Sequence, residues 1–277
     1  MKEGWEKKPL LSFAEVCTGK HDANYATLNG KYRFYTCAYE YMWCDNYRFD
    51  EECLILPGNG ANVGEVFYYN GPFDAYQRTY VVYKIRDILP KCLYYHFLYN
   101  WKTVGVSAQY GAATNYIKIG NFIDYKVNIP PLYEQSRIVE ELDQLSNIIE
   151  EKRQQLSELD NLAQSIFYDM FGDPVTNEKG WETREFSKCY KLSSGDGLSA
   201  KNIIEGDFPV YGGNGIVGYH SDYNMDGEYI IIGRVGALCG NVRNVMGKAF
   251  ITDNAFILTK NVENVNVYLL YLLKIHN

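Results

Sequence analysis

Glycine-rich segments are the parts of this chain whose residues most readily suggest chemistry, because closely spaced glycines can bring backbone N–H groups up to a phosphate. The segment Gly58–Gly64 superficially resembles a dinucleotide-binding loop, but its glycines have the wrong spacing. Gly247-Lys248 is followed by alanine and has no glycine five residues upstream, so it does not match a nucleotide phosphate loop. We therefore interpret Gly58–Gly64 as a tight turn between a strand and a loop.

Other signatures of catalysis are also missing from the sequence. The segments Asn128–Pro131 and Asn70–Phe73 both fail to match the Asn-Pro-Pro-aromatic box of amino-methyltransferases, and no nucleophile elbow occurs. The seven cysteines and four histidines form no zinc-ligand spacing, so the cysteines are predicted to be reduced core residues. The sequence thus predicts a chain with no catalytic activity of its own, no cofactor and no metal.

The sequence repeats itself at a long, constant offset. Gly4-Trp5-Glu6 recurs as Gly180-Trp181-Glu182, and 180 minus 4 gives an offset of 176. Identical pairs at this offset include Gly19 and Gly195, Gly30 and Gly206, Tyr35 and Tyr211, Glu52 and Glu228, Ile55 and Ile231, Gly60 and Gly236, Gly64 and Gly240, and Gly71 and Gly247. A period of this length predicts a tandem domain, and two equivalent surfaces suggest a two-part target.

A long helix is predicted between the two copies, over residues 132–171. Apolar residues follow a 4-3-4 spacing that is typical of a coiled-coil seam. The seam residues are Ile138, Leu142, Leu145, Ile149, Leu156, Leu159, Ala163, Ile166 and Met170, with Lys152 at the one polar position. Pro130-Pro131 marks the start, Gly172 marks the end, and about 39 residues would span roughly 58 Å. Such a seam needs a partner helix; the alternative is a solvated helix that lies on one of the copies.

Charge is distributed unevenly along the chain. The net charge is −7, but residues 132–171 hold nine acidic and three basic side chains, which accounts for −6 of it. Residues 1–131 carry 14 basic and 13 acidic side chains, and residues 172–277 carry 10 and 12. Both copies are therefore close to neutral, and either could still present a basic face to nucleic acid.

The copies themselves are predicted to be mostly β. Short apolar runs that end at glycine-rich turns are typical of buried strands. Such runs are Glu52–Pro57, Tyr80–Tyr83, Glu228–Gly233 and Ala255–Leu258. The first two are expected to pair in one sheet, as are the last two. Short helices are predicted at Leu93–Trp101 and Tyr268–His276.

The fold class that follows is α+β. Two repeated, mostly β domains, residues 1–131 and 172–277, are separated by a long coiled-coil-forming helix, residues 132–171. The second domain is expected to be incomplete at its C-terminus, because 277 minus 176 is 101 and nothing corresponds to residues 102–131. There is no apolar leader and no uncharged run of 18 apolar residues, so we expect a soluble cytoplasmic protein that does not bind a membrane.

Several motifs resemble those of a known family. The segments Tyr211–Tyr219, Gly227–Arg234, Gly236–Val242 and Gly247–Phe250 look like the target-recognition domain of type I restriction-modification DNA specificity subunits. The segments Ile129–Gln135 and Ser165–Pro174 resemble the borders of that family's spacer helix, and Asn177–Glu182 resembles the start of its next domain. The resemblance covers essentially the whole chain in the right order.

This resemblance implies a non-catalytic, DNA-reading subunit. Each recognition domain would read one half of a bipartite site in double-stranded DNA, and the helix would set the gap between the halves. The implied protein partners are modification (methyltransferase) subunits and, through them, the restriction subunit. A homodimer through the spacer helix is expected as well. An alternative remains open: a dimerising interaction scaffold, built from degenerate recognition domains, that no longer binds DNA specifically.

Candidate DNA contacts follow from the chemistry of base edges and phosphates, since Arg, Asn and Gln read bases whereas Lys, Tyr and backbone amides hold phosphates. They are Lys20, Lys31, Arg33, Tyr35, Asn59, Asn62 and Arg78 in the first copy, and Lys201, Tyr211, Asn214, Tyr219, Arg234 and Arg243 in the second. Each tyrosine could instead be half-buried packing. Arg234 could pair with Glu228 or Asp253, and Asn214 could be a turn residue with positive φ.

Overall fold

The computed structural model describes residues 4–106, 115–236, 239–260, 269 and 271–273. The chain divides into two compact units, residues 1–152 and 153–277. The division falls inside one helix, α3 in the numbering below. Within the part of the chain that the structure describes, every helix is too short or too polar to span a lipid bilayer.

Strands dominate the first unit. They are β1 (Glu6–Pro9), β2 (Glu15–Thr18), β3 (Tyr32–Tyr35), β4 (Met42–Cys44), β5 (Phe49–Pro57), β6 (Phe67–Ala75), β7 (Thr79–Tyr83) and β8 (Lys126–Ile129). The helices are α1 (Pro90–Asn100), which continues as a π-helical turn at Trp101–Gly105, α2 (Gly120–Ile123) and the first part of α3 (Leu132–Phe171). Six strands form one sheet in the order β2-β7-β5-β6-β3-β4, and β1 pairs with β8.

The interior strand β5 supplies the centre of the first unit's core. Residues 53–56 are fully buried, because β5 lies between β7 and β6 and its side chains alternate between two covered faces. One face packs with Leu93, Phe97 and Trp101, which lie on α1 and the turn that follows it. α1 begins at Pro90, whose missing N–H and fixed φ suit a first turn.

The second unit is built from α4 (Phe186–Cys189), β9 (Tyr190–Ser194), β10 (Phe208–Gly212), β11 (Gly215–His220), β12 (Glu228–Gly233), β13 (Val242–Met246), β14 (Phe250–Ile251) and β15 (Ala255–Lys260). Its sheets have the orders β13-β12-β15-β9 and β11-β10-β14. Leu269 and Tyr271–Leu273 are helical; the rest of the predicted helix Tyr268–His276 lies outside the described residues. The strand predictions are confirmed, since β5 pairs with β7 and β12 pairs with β15.

Strand pairing has the same register in the two units. Leu54 faces Val82 across β5 and β7, and Ile230 faces Leu258 across β12 and β15, with both residues shifted by 176. The same shift relates β2–β7 to β9–β15, β5–β6 to β12–β13, β3–β6 to β10–β14, and β3–β4 to β10–β11. The long strand β6 corresponds to the two strands β13 and β14. One sheet in the first unit therefore corresponds to two sheets in the second.

Glycines that recur at the offset occupy positions that other residues cannot easily take. A Cβ added to Gly19 would lie 1.7 Å from a backbone carbonyl oxygen, and one added to Gly195 would lie 2.3 Å from another. Gly64 and Gly240 have φ values of +105° and +94°, which side chains rarely adopt. The repeated glycines therefore maintain the backbone of both sheets.

Helix α3 confirms the predicted long helix, with bounds Leu132–Phe171. Gly172 follows it with φ +75°, and its N–H donates to the Tyr168 carbonyl oxygen at 2.8 Å, which satisfies one of the last carbonyls. Of the predicted seam, Ile138 is half-buried and packs against the core of the first unit, and Leu142 is half-buried as well. The other seam residues named above, apart from the half-buried Ala163, are between 50% and 62% exposed.

Candidate nucleic-acid interface

Polar side chains gather at the end of the first unit's sheet where β5 stops and β7 begins. Asn59 follows β5, Arg78 precedes β7, and the Gly58 N–H joins the two loops by donating to the Arg78 carbonyl oxygen at 2.9 Å. Asn59 and Arg78 line a cleft of about 450 Å³ together with Gln77 and Tyr116. The cleft thus presents amide, guanidinium and phenol groups, which are the groups that hydrogen-bond bases and phosphates.

Two other predicted contacts lie beside this cleft, and one does not. Lys20 is exposed and directly follows Gly19. The Gly19 N–H donates to the carbonyl oxygen of Thr79, the first residue of β7, at 3.2 Å. Asn62 donates from its side-chain amide to the Cys37 carbonyl oxygen at 2.9 Å, so this amide ties two loops together. Lys31 is exposed but precedes β3, and so lies at the opposite end of that strand from Tyr35.

Arg33 is held between aromatic rings on the sheet. Its guanidinium carbon lies 4.4 Å from the ring centre of Tyr41 and 4.4 Å from that of Tyr69. It also donates to the Tyr35 hydroxyl at 3.2 Å. Tyr35 is only 7% exposed, and burial raises the pKa of its hydroxyl, so it remains a neutral partner. Tyr35 therefore orients Arg33 rather than facing solvent, whereas Arg33 itself is partly exposed.

The corresponding end of the second unit brings three of its predicted contacts together. Arg243 donates to the Asn214 carbonyl oxygen at 3.2 Å. Its guanidinium carbon would lie only 3.3 Å from a Cβ at position 215, so the glycine there leaves room for it. The Arg234 N–H donates to the Asn254 carbonyl oxygen at 2.9 Å, and its guanidinium carbon lies 5.3 Å from the Phe256 ring centre. Asn214, Arg234 and Arg243 are all exposed.

Arg234 and Asn214 each have an alternative to DNA contact. Among the described residues Arg234 makes no ion pair, so the alternative in which it pairs with Glu228 or Asp253 is not seen there. The positive φ of the glycine-rich turn falls on Gly215, at +124°, and not on Asn214.

The remaining predicted contacts of the second unit are not part of this group. Tyr211 is half-buried against a hydrophobic cluster, and its carbonyl oxygen accepts the N–H and the hydroxyl of Thr252, both at 3.0 Å. Tyr219 is 53% exposed on the edge strand β11, and Lys201 is exposed in a short 3-10 turn. Across the described residues, no three His, Cys, Asp or Glu side chains are grouped as metal ligands would be.

Comparison with known proteins assigns the chain to a family. The sequence model described as "Type I restriction modification DNA specificity domain" matches residues 2–161. The chain belongs to this family. Membership in a DNA specificity family supports the prediction that the chain is not itself an enzyme.

Two curated members of the specificity family match part of the chain. The EcoDI specificity subunit of Escherichia coli is 34% identical over 155 residues, which cover 56% of this chain and 34% of that protein. The EcoprrI specificity subunit, also of Escherichia coli, is 34% identical over 134 residues, which cover 45% of this chain and 33% of that protein. The chain thus matches about a third of the length of these relatives.

A solved structure shows the same fold. The S subunit of a type I restriction-modification system from M. genitalium superimposes with a TM-score of 0.63 at 18% identity, covering 98% of this chain and 76% of that one. The mixed, strand-rich fold with one long helix is therefore the fold of a specificity subunit.

Sequence reasoning missed several residues of the candidate interface. Tyr41 and Tyr69 enclose Arg33 but come from a loop and from β6, so no spacing along the chain relates them. Gln77 and Tyr116 line the cleft beside Asn59, and they too come from separate loops. Gln77 could have been nominated from its type alone, since it precedes Arg78.

Proposed function

We propose that this chain acts as a DNA specificity subunit of a type I restriction-modification system. In this proposal, target-recognition domains at residues 1–131 and 172–277 each read one half of a bipartite DNA site. The main support for this proposal is that the two units share one register of strand pairing. Every strand pairing compared above recurs at the offset of 176, while the polar side chains at the matching sheet ends differ. One scaffold with two sets of exposed side chains is what reading two different half-sites requires.

The interface chemistry supports DNA as the target. Arg78 and Asn59 in the first copy, and Arg234 and Asn214 in the second, are groups that read base edges in the major groove. Arg33, held by Tyr41 and Tyr69, is oriented in advance and so loses less conformational freedom on binding. The near-neutral charge of both copies implies that base contacts, rather than a large basic surface, provide much of the discrimination.

Helix α3 is proposed to set the gap between the half-sites and to dock protein partners. Its composition is acidic, which disfavours contact with phosphates and suits contact with protein. Apolar side chains along it remain exposed: Leu145, Ile148, Ile149, Leu156, Leu159, Leu162, Ile166 and Met170. We propose that modification (methyltransferase) subunits dock here, with the restriction subunit joining through them. In their absence a second copy of this chain is proposed to cover the same face.

Selection of binding sites from a random duplex library by the full chain tests the proposal. Two different enriched sequences, separated by a fixed gap and bound less tightly as salt rises, are the expected result. Equally weak binding to every duplex, with no dependence on salt, would refute DNA specificity.

That negative result would favour the second candidate, a dimerising scaffold without specific DNA binding. The exposed apolar side chains of α3 are the observation in its favour, because they suit self-association whether or not DNA is bound.

A further inference from the structure

A short turn between β6 and β7, residues 76–78, is fixed by backbone hydrogen bonds at both ends. The N–H of its first residue donates to the Tyr35 carbonyl oxygen at 2.9 Å. The carbonyl oxygen of that residue accepts the Thr79 N–H at 2.8 Å, and the carbonyl oxygen of the last residue accepts the Gly58 N–H at 2.9 Å. The backbone of this turn is therefore held independently of its own side chains.

The turn between β14 and β15, residues 252–254, has the same bonds at the offset of 176. Its first N–H donates to the Tyr211 carbonyl oxygen at 3.0 Å, and the carbonyl oxygen of the same residue accepts the Ala255 N–H at 3.1 Å. The carbonyl oxygen of its last residue accepts the Arg234 N–H at 2.9 Å. Two turns with unrelated sequences, Tyr-Gln-Arg and Thr-Asp-Asn, thus share one backbone scaffold.

The side chains that the two turns present are exposed and chemically different. Gln77 and Arg78 occupy the positions that Asp253 and Asn254 occupy in the second copy, and all four are exposed. None of the four side chains makes a hydrogen bond or an ion pair with another described residue. Within the described part of the chain, their hydrogen-bonding groups are therefore open to a ligand.

We propose that these two turns are specificity-determining elements, each selecting bases in its own half-site. This inference rests on the proposed function and assigns base selection to particular residues. Arg pairs best with guanine, Gln and Asn with adenine, and Asp accepts from the amino group of cytosine. The first turn would thus favour a guanine or adenine, and the second an adenine or cytosine. Asn59 and Tyr116 lie in the same cleft as Gln77 and Arg78, so they would contact neighbouring nucleotides.

Exchange of side chains between the turns tests the inference. The full chain with Gln77→Asp and Arg78→Asn carries the second turn's residues on the first turn's backbone, and the reciprocal variant carries Asp253→Gln and Asn254→Arg. A matched control is Lys126→Glu, which changes the charge by the same two units on the separate β1–β8 sheet. Each protein selects from the same random duplex library, and binding to the selected sites is then measured by fluorescence anisotropy.

The first exchange should alter base preference at one or two adjacent positions in one half-site, and leave the gap and the other half unchanged. Discrimination at those positions should change about 5- to 150-fold, the range for one bidentate base contact. The reciprocal variant should alter the other half, which keeps the test valid if one exchanged protein does not fold. Unchanged half-sites in both folded variants, with a wild type that selects a sequence, would overturn the inference alone. A wild type that enriches nothing would overturn the proposed function and this inference with it.

Discussion

Gln135 connects the start of α3 to the first unit through three hydrogen bonds. Its carboxamide oxygen accepts the Leu89 N–H at 2.7 Å. Its amide nitrogen donates to the carbonyl oxygens of Pro130, at 2.8 Å, and Asp87, at 3.2 Å. The side chain is only 2% exposed, so water cannot easily replace these partners.

The substitution Gln135→Met keeps the length of the side chain but removes all three bonds. One backbone N–H and two backbone carbonyls then lose their partner. A buried polar group left without a partner costs about 1–3 kcal/mol. Three such groups sum to about 3–9 kcal/mol. Only the Pro130 bond is fully buried and the other two are partly buried, so the total should lie close to the lower end of that sum. We expect a loss of about 2–4 kcal/mol in the free energy of unfolding of the first unit.

Urea unfolding followed by tryptophan fluorescence measures this loss. In a Trp181→Phe background the remaining tryptophans all lie in residues 1–152, so the signal reports on the first unit. The matched control is Gln144→Met, the same change at an exposed position of the same helix, which should cost less than about 0.5 kcal/mol. Equal transitions for the Gln135 and Gln144 variants would refute the reasoning.

Three other outcomes are expected. Gly19→Ala places a Cβ 1.7 Å from a backbone carbonyl oxygen and should cost at least about 2 kcal/mol in urea unfolding, whereas Gly120→Ala, with open space around it, should be neutral or better. Burial lowers the pKa of His96 to about 4, below its value in the unfolded chain, so the unfolded chain binds the proton first and stability falls as pH drops from 6.5 to 4. His96→Gln should remove up to about 3 kcal/mol of that pH dependence; equal slopes for both proteins would contradict it. Leu156→Asp should weaken self-association in sedimentation velocity far more than Asn147→Asp, which adds the same charge at an exposed polar position, and an unaltered dimer would place the interface elsewhere.

The elements that the sequence predicted best are those in which local pattern and burial agree. β12 has the predicted bounds because Tyr229–Ile231 is a continuous apolar run buried on both faces. Helix α3 was predictable because one spacing persists over ten positions, from Ile138 to Met170, and glycine follows the helix. In both cases the signal lies within one segment.

The site was harder to predict, because its geometry depends on contacts between segments. The two rings around Arg33 belong to residues far from it in sequence. Tyr41 lies 8 positions after Arg33 (41 minus 33), and Tyr69 lies 36 positions after it (69 minus 33). The seam of α3 illustrates the same limit. The heptad spacing gives Ile138 and Leu159 the same role, but the first packs on the core of the first unit and the second is 60% exposed. Periodicity identifies an apolar face and does not identify what covers it.

Comparison of the two copies separates residues that build the scaffold from residues that we propose to read a target. Gly64 and Gly240 are identical because a positive φ requires it, and Gly19 and Gly195 are identical because a Cβ would strike the backbone. At the turns between those scaffold positions the backbone bonds recur while the exposed side chains do not. Under neutral drift, the two copies would differ wherever the fold tolerates a substitution, with no preference for one part of the surface. Selection for two half-sites would concentrate differences at the sheet ends, where Arg78 lies in the first unit and Asn254 in the second. The exchange of side chains tests whether those differences decide which bases are selected.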